Sequence, residues 1–191
     1  MKDDDFSGSP QPWETLEEEA LQDCRVFSVS RARARSPRTG EPHDFYRIDA
    51  AEWVNVVPIT VEEEVVLIRQ FRHGVRDITL ELPGGMVDPG EAPAAAAARE
   101  LLEETGYRAG EVLPLGSLNP NPALFGNRVH SFVANGCERV AEIRRESTED
   151  TYVELVPRAD VRARVRGGDI DHALVVAALY WWELVQDEVK P

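Results

Sequence analysis

The chain has 191 residues, of which 42% are hydrophobic and 29% charged, so it can bury a core, and we expect one domain with at most a small addition. Its formal net charge of -14 at pH 7 argues against general nucleic-acid binding, which depends on cationic side chains that release phosphate counterions. An anionic substrate would need a metal ion or a few arginines to attract it.

The cysteines and the apolar runs indicate a reducing, cytoplasmic setting. Cys24 and Cys137 lack the CxxC spacing of a zinc or redox site, and we interpret them as free thiols. Residues 1–12 are rich in Asp, Gly, Ser and Pro, which predicts a disordered tail and not a signal peptide. The longest apolar run, Ala173 to Trp182, has ten residues, against the roughly 20 that span a bilayer.

Short strands are predicted along most of the chain. Residues 13–51 form a predicted β-rich region, in which the alternation typical of a strand begins at Cys24 in CRVFSVSRARAR. EWVNVVPIT, VVLIRQF and ITLEL follow as strands rich in β-branched residues. Two helices are predicted, one from Pro93 to Gly106 and one from Ala173 to about Gln186, which together indicate an α+β domain with a mixed sheet.

The first helix has an unusual charge pattern. Five alanines are followed by Glu100, Glu103 and Glu104, which share one helix face, where like charges repel by a few tenths of a kcal/mol per pair. Such a patch of oxygen ligands suits Mg²⁺ or Mn²⁺. Upstream, Gly84 and Gly85 let the backbone approach a ligand closely. A solvated acidic helix face would explain the charge but not these glycines.

The spacing of this segment resembles a known family signature. It runs from Gly85 over five residues to Glu91, then over seven residues to the stretch RELLEETGY that starts at Arg99. This resembles the Nudix box, GX5EX7REUXEEXGU, in which U is aliphatic. The one departure is Tyr107 at the last aliphatic position, which concerns packing at the helix end.

The resemblance implies a fold and a metal site. It implies an α/β/α sandwich with a mixed sheet over residues 52–191, preceded by a small antiparallel β region used in dimerisation. The family hydrolyses a nucleoside diphosphate linked to another group, so the resemblance implies that Glu100, Glu104, the carbonyl of Gly84 and Glu103 bind Mg²⁺, with Mn²⁺ as an alternative. Arg99 would orient the glutamates and Glu91 would brace the loop.

A carboxylate base is expected after the box. In Nudix enzymes that hydrolyse ADP-ribose it commonly comes from an acidic loop, which RRESTEDTYVEL resembles. Glu149 matches best among Glu146, Glu149 and Asp150. A solvated loop charge is the alternative for Glu149. The expected catalytic residues are therefore Glu149, Glu103 and Arg99.

Residues outside the box bear on substrate choice. RQFRHGVRDITLELPGG resembles the segment before the box in the ADP-ribose and nucleotide-sugar group, where an arginine in the place of Arg72 reaches the phosphates. NPNPALFGNRVHSFVA resembles the nucleotide-sugar branch, so Asn127 and Arg128 are expected to contact substrate. The alternatives are a strand-end charge for Arg72 and an Asn- and Pro-rich turn for the other two.

Other polar and aromatic residues are assigned more ordinary roles. Arg31, Arg33 and Arg35 form either a solvated strand face or, as the resemblance implies, a contribution to a partner subunit's site. The four histidines, His43, His73, His130 and His172, are expected to be structural or exposed.

We therefore expect a homodimeric, Mg²⁺-dependent Nudix enzyme that acts on a nucleotide sugar or ADP-ribose, without nucleic-acid or membrane partners. Two alternatives remain open. One is hydrolysis of nucleoside triphosphates or dinucleoside polyphosphates, and the other is a non-catalytic nucleotide sensor. A sensor would be expected to have lost box glutamates.

Overall fold

The computed structural model describes residues 9–144 and 150–188, with side chains up to Gln186. The chain forms two compact units. The first runs to Ala50 and includes Asn121–Gly126, and the second comprises Ala51–Pro120 and the residues from Asn127 onward. In the described ranges, no helix is both long and apolar enough to cross a membrane.

The first unit contains a three-stranded antiparallel sheet. Its strands are β1 (Glu14–Asp23), β2 (Phe27–Arg35) and β3 (Pro42–Ala50), in that spatial order. The expectation that a strand begins at Cys24 is wrong, because Cys24 lies in the turn between β1 and β2, where Arg25 has a φ of 69°. Within β2, burial alternates only at the end of the strand, where Ala32 and Ala34 are buried and Arg33 and Arg35 are exposed.

Strand β1 has a composition that favours helix, since ETLEEEALQD is rich in Glu, Leu and Ala. Pairing with β2 explains why it is extended. Glu14 lies opposite Arg35, and Glu17 and Glu19 lie opposite Arg33 and Arg31, so three of the four glutamates of β1 face an arginine across the ladder.

The arginines of β2 make ion pairs within this sheet. Arg31 Nη2 lies 2.8 Å from a carboxylate oxygen of Glu19, and Arg35 Nε lies 3.2 Å from one of Glu14. Two of these arginines, Arg31 and Arg35, therefore form ion pairs with β1, which supports a structural role for them.

The second unit is built on an eight-stranded mixed sheet with the strand order β11-β5-β4-β10-β8. Off this path, β6 pairs with β5, β7 with β4 and β9 with β10, and only the β4–β10 pair among them is parallel. The bounds are β4 (Trp53–Thr60), β5 (Glu64–Arg72), β6 (Asp77–Glu81), β7 (Gly84–Met86), α1 (Pro93–Thr105), β8 (Tyr107–Arg108), β9 (Glu111–Leu118), β10 (Val129–Arg139), β11 (Tyr152–Pro157), α2 (Val161–Gly167) and α3 (Ala173–Glu188).

Each face of this sheet packs on helices. Successive residues of β4 point to opposite faces, so Val54 and Val56 pack with α1 while Val57 and Ile59 pack with α2 and α3. Val175 and Leu179 of α3 belong to the same hydrophobic cluster as Val57 and Ile59. The expected α+β fold with a helix–sheet–helix layering is confirmed.

An alternating ring of charges joins β5, β11 and α2. Arg69 Nε lies 2.6 Å from Glu154, and Arg164 Nη2 lies 2.8 Å from the other carboxylate oxygen of Glu154. Asp169 bonds both arginines and closes the ring. The hydrogen bond from Arg164 and the nearby charge of Arg69 hold the pKa of Asp169 below its usual value.

Candidate active site

The ends of helix α1 and its buried face together determine where the acidic patch lies. Pro93 occupies the first turn, and Gly106 ends the helix in the left-handed conformation with a φ of 74°. A Cβ at Gly106 would lie 2.2 Å from the carbonyl oxygen of Ala141. Ala97 and Leu101 are buried against the sheet, which leaves the glutamates on the face that lines a cavity.

Gly84 connects this helix to the sheet. The sequence LPGGMVDPGE predicts a Gly-rich loop after a strand, but residues 84–86 form strand β7, which pairs with β4. A Cβ at Gly84 would lie 2.2 Å from the carbonyl oxygen of Val54, so only glycine allows the two strands to approach this closely. The amide of Gly84 donates to Oε2 of Glu104 at 2.9 Å. Glu104 is buried, so this hydrogen bond satisfies a carboxylate oxygen that has little access to water.

Gly85 leaves space for a second glutamate. A Cβ at this position would lie 2.4 Å from Oε1 of Glu100. The carboxylate of Glu100 therefore lies directly against the backbone of β7, which requires the absence of a side chain at residue 85.

Arg99 organises the acidic side chains. Its Nη1 donates to Glu100 at 2.9 Å and to Glu103 at 3.2 Å, and Nη2 and Nε bond both carboxylate oxygens of Glu91. Nη2 also donates to the carbonyl of Met86 at 3.1 Å. The hydrogen bond with Glu91, together with the charge of Glu100, raises the pKa of Arg99 above its ordinary value.

The donor set fits a divalent cation chemically. Glu100, Glu103 and Glu104 supply carboxylate oxygens from one helix, and all three line the same cavity. Among the described residues, no three acidic, histidine or cysteine side chains are grouped as they would be around a metal ion. Instead, Glu100 and Glu103 share one guanidinium nitrogen of Arg99, so the positive charge beside them is that of an arginine.

A buried carboxylate forms another part of the cavity wall. Glu81 is almost fully buried, and its two oxygens accept hydrogen bonds from Nε and Nη2 of Arg72 at 2.9 and 2.7 Å. Thr79 Oγ1 donates at 2.6 Å, and His172 Nδ1 lies 3.0 Å away. Burial acts to raise the pKa of this carboxyl, but hydrogen bonds from Arg72, His172 and Thr79 outweigh it and hold the pKa well below its usual range.

The cavity lies within the second unit and has a volume of about 940 Å³. It brings the acidic patch together with Arg72, Glu81 and His172. His172 was expected to be merely structural or exposed, and its presence in the cavity wall was missed. The strand pattern offered a signal for Glu81, because Leu80 and Leu82 are core residues and residues 79 and 81 alternate with them.

Asn127 and Arg128 do not line this cavity. Asn127 is buried and donates through Nδ2 to the carbonyl of Ala51 at 2.8 Å. Arg128 Nε donates to the hydroxyl of Ser117 and Nη2 to the carbonyl of the same residue, both at 2.7 Å. Their role in substrate binding stays a prediction.

The expected base Glu149 and its neighbour Glu146 lie outside the described residues. A described residue on each side of this segment, Arg144 before it and Thr151 after it, bonds the end of α1. The amide of Arg144 donates to the carbonyl of Glu103 at 2.9 Å, and Thr151 Oγ1 donates to the carbonyl of Glu104 at 3.1 Å.

Comparisons with known proteins identify the family to which the chain is similar. Residues 50–179 match the family model described as NUDIX domain. The ADP-ribose pyrophosphatase of Bacillus subtilis (strain 168) is 32% identical over 133 residues, which cover 69% of this chain and 71% of that protein. The ADP compounds hydrolase NudE of Escherichia coli (strain K12) is 31% identical over 191 residues, with 97% of each chain covered.

The fold itself also has a solved counterpart. A crystal structure of ADP compounds hydrolase matches with a TM-score of 0.85 and 26% sequence identity, covering 97% of this chain and 100% of that one. The similarity thus extends over both units and not only over the box.

Proposed function

Since the chain belongs to the Nudix hydrolase family, we propose that it hydrolyses the diphosphate bond of ADP-ribose or a related nucleoside diphosphate sugar, giving a nucleoside monophosphate and a sugar phosphate. The observation that carries this proposal is the single cavity that combines the three glutamates of α1 with Arg72. Carboxylates of this kind bind a cation, and an arginine binds phosphate oxygens.

The relatives favour adenosine diphosphate compounds. One is an ADP-ribose pyrophosphatase and another is an ADP compounds hydrolase, so the names share the ADP group. We therefore place ADP-ribose first among the substrates to test, followed by ADP-glucose and GDP-mannose.

Glu100, Glu103, Glu104 and the carbonyl of Gly84 would hold Mg²⁺, or Mn²⁺ in its place. The cation would supply charge neutralisation for the diphosphate and activation of water. The amide of Gly84 keeps Glu104 in place, and Arg99 keeps Glu100 and Glu103 together. These contacts orient the carboxylates before substrate arrives, which reduces the reorganisation needed for catalysis.

Arg72 would bind the diphosphate. Two of its nitrogens bond the buried Glu81, which fixes the plane of the guanidinium, while 45% of its side chain remains exposed. An arginine oriented in this way suits the bidentate recognition of phosphate oxygens.

We assign the general base to Glu149, which would accept a proton from the attacking water. Thr151, two residues later in the chain, donates to the carbonyl of Glu104, so the described chain contacts the acidic helix directly after this segment.

We also propose a homodimer formed through the first unit, in the cytoplasm. Trp13 and Phe45 are each almost half exposed and make an edge-to-face contact with centroids 5.2 Å apart. Exposed aromatic pairs of this kind are common at protein interfaces. Light scattering should give about twice the 21.3 kDa of one chain, and a monomeric mass at micromolar concentration would contradict the dimer.

The test is phosphate release from ADP-ribose, ADP-glucose, GDP-mannose, ATP and a dinucleoside polyphosphate, with a monoesterase that acts on the products. Each substrate is incubated with Mg²⁺ and with chelator. We expect Mg²⁺-dependent release from a diphosphate sugar, reduced about 100-fold or more in Glu104→Gln. Glu183→Gln is the matched control, since Glu183 is a helical carboxylate paired with Arg162 and does not line the cavity. Preference for ATP or the polyphosphate would support the alternative hydrolase, and nucleotide binding without turnover would indicate a sensor.

A further inference from the structure

His172 occupies a defined place in the cavity wall. It directly precedes α3, and its neighbours Asp171, Ala173 and Leu174 also line the cavity. Its side chain is 37% exposed, so the imidazole is held by the protein on one side and accessible on the other.

The held side is the contact with Glu81. Nδ1 of His172 lies 3.0 Å from a carboxylate oxygen of Glu81, whose own side chain is only 3% exposed. Arg72 and Thr79 fix the same carboxylate. The imidazole thus contacts a buried carboxylate that three hydrogen bonds from Arg72 and Thr79 hold in place.

The anchor also determines which ring nitrogen carries the proton. An ionised carboxylate can only accept hydrogen bonds, and the pKa of Glu81 is held below its usual range. In the neutral imidazole, which has one N–H, the proton therefore lies on Nδ1 and Nε2 is an acceptor. Among the described residues, none forms a hydrogen bond with Nε2 of His172.

We propose that Nε2 of His172 accepts a hydrogen bond from a sugar hydroxyl of the nucleotide substrate, with Glu81 as the positioning residue. A hydroxyl fits because it can donate, whereas an ionised phosphate oxygen is itself an acceptor and would be repelled. The inference rests on the proposed function and adds the contact that recognises the polyhydroxylated part of the substrate. A site that bonds a hydroxyl discriminates against ligands that lack one.

The hydroxyl could belong to the nucleoside ribose or to the terminal sugar. Two probes separate these sources: the α,β-methylene analogue of ADP-ribose, which cannot be hydrolysed, and α,β-methylene ADP, which lacks the terminal sugar. Their dissociation constants are measured by calorimetry with Mg²⁺ for the wild type, His172→Asn and His172→Gln.

The asparagine variant keeps an amide N–H near the position of Nδ1 and removes the acceptor, so it tests Nε2 with little disturbance of Glu81. We expect its affinity for the ADP-ribose analogue to fall about five- to twentyfold, as for loss of one hydrogen bond to a held group. A loss confined to that analogue assigns the terminal sugar, and an equal loss for both probes assigns the nucleoside ribose.

His130→Asn is the matched control, because His130 also forms a carboxylate pair, with Glu52 at 2.7 Å, but does not line the cavity. Its affinities should equal those of the wild type. If the wild type binds the probes and both His172 variants have dissociation constants within twofold of the wild-type values, the inference is overturned but the proposed function is not. A wild type that binds neither probe and cleaves no diphosphate sugar overturns the proposed function and the inference together.

Discussion

Gly85 and Glu100 touch so closely that the Cβ absent from the glycine would lie 2.4 Å from Oε1 of the carboxylate. The backbone of β7 and the side chain of α1 are therefore fitted to one another at the centre of the proposed metal site. The contact explains in physical terms why a glycine begins the box.

Gly85→Ala should displace Glu100 and lower kcat/KM about 100-fold, since a shift of about 1 Å in a catalytic group has an effect of that size. The measurement is steady-state hydrolysis of the preferred substrate, with circular dichroism to show that the fold persists. Gly167→Ala is the control, because a Cβ there would contact nothing within 4 Å. Equal activity in the two variants would show that the contact has no catalytic importance.

Arg99→Lys should weaken Mg²⁺ activation although it preserves the charge. A lysine ammonium cannot reproduce the planar guanidinium contacts to Glu91, Glu100 and Glu103 at once. We expect the Mg²⁺ concentration for half-maximal activity to rise about 10- to 100-fold. Arg162→Lys, in an exposed pair with Glu183, should leave the Mg²⁺ dependence unchanged.

Glu81→Gln should destabilise the protein by about 1–3 kcal/mol near neutral pH, because it removes a buried carboxylate that accepts hydrogen bonds from three side chains. The pKa of Glu81 in the folded chain lies below its ordinary value of 4.5. Its stabilising contribution is therefore complete above about pH 4.5 and is lost as the pH falls through the folded-state pKa.

The difference in unfolding free energy between the wild type and this variant should thus shrink between about pH 7 and about pH 3.5. Urea unfolding at both values measures it. Glu111→Gln, at an exposed strand position, serves as the control. A difference that stayed constant or grew on acidification would contradict the assigned direction of the pKa.

Glu154→Gln should cost about 1 kcal/mol of unfolding free energy, since Glu154 bonds both arginines of the charged ring but the ring is partly exposed. A double-mutant cycle with Arg164→Met should be non-additive, because the two residues are in contact. Additive effects would indicate that the ring contributes no coupling.

The box helix could be predicted because its determinants are local. Pro93, the alanine run and Gly106 define the helix, and the spacing of Glu100, Glu103 and Glu104 then places them on one face. Periodicity likewise predicted strand β4, whose residues alternate between the two core clusters. Both inferences depend only on neighbours within a few residues.

The rest of the site depends on contacts between distant segments. His172 contacts Glu81, which lies 91 positions earlier in the chain, and no short sequence pattern predicts this contact. Asn127 is expected to contact substrate only because its segment resembles the nucleotide-sugar branch, and this role stays a prediction; in the structure its amide donates to the carbonyl of Ala51 within the second unit. Strand β1 lies inside the predicted β-rich region, but its bounds could not be predicted from a composition that favours helix, because it is extended by pairing with β2, whose arginines lie opposite three of its glutamates.

The acidic composition of β1 has a consequence for aggregation. This strand is at an edge of the three-stranded sheet and bears Glu14, Glu17, Glu18 and Glu19. A second copy that approached along the same edge would bring like charges opposite one another, which opposes uncontrolled growth of the sheet. The row of charges that aligns β1 with β2 therefore also disfavours self-association along this edge, and the proposed dimer would use the face that carries Trp13 and Phe45.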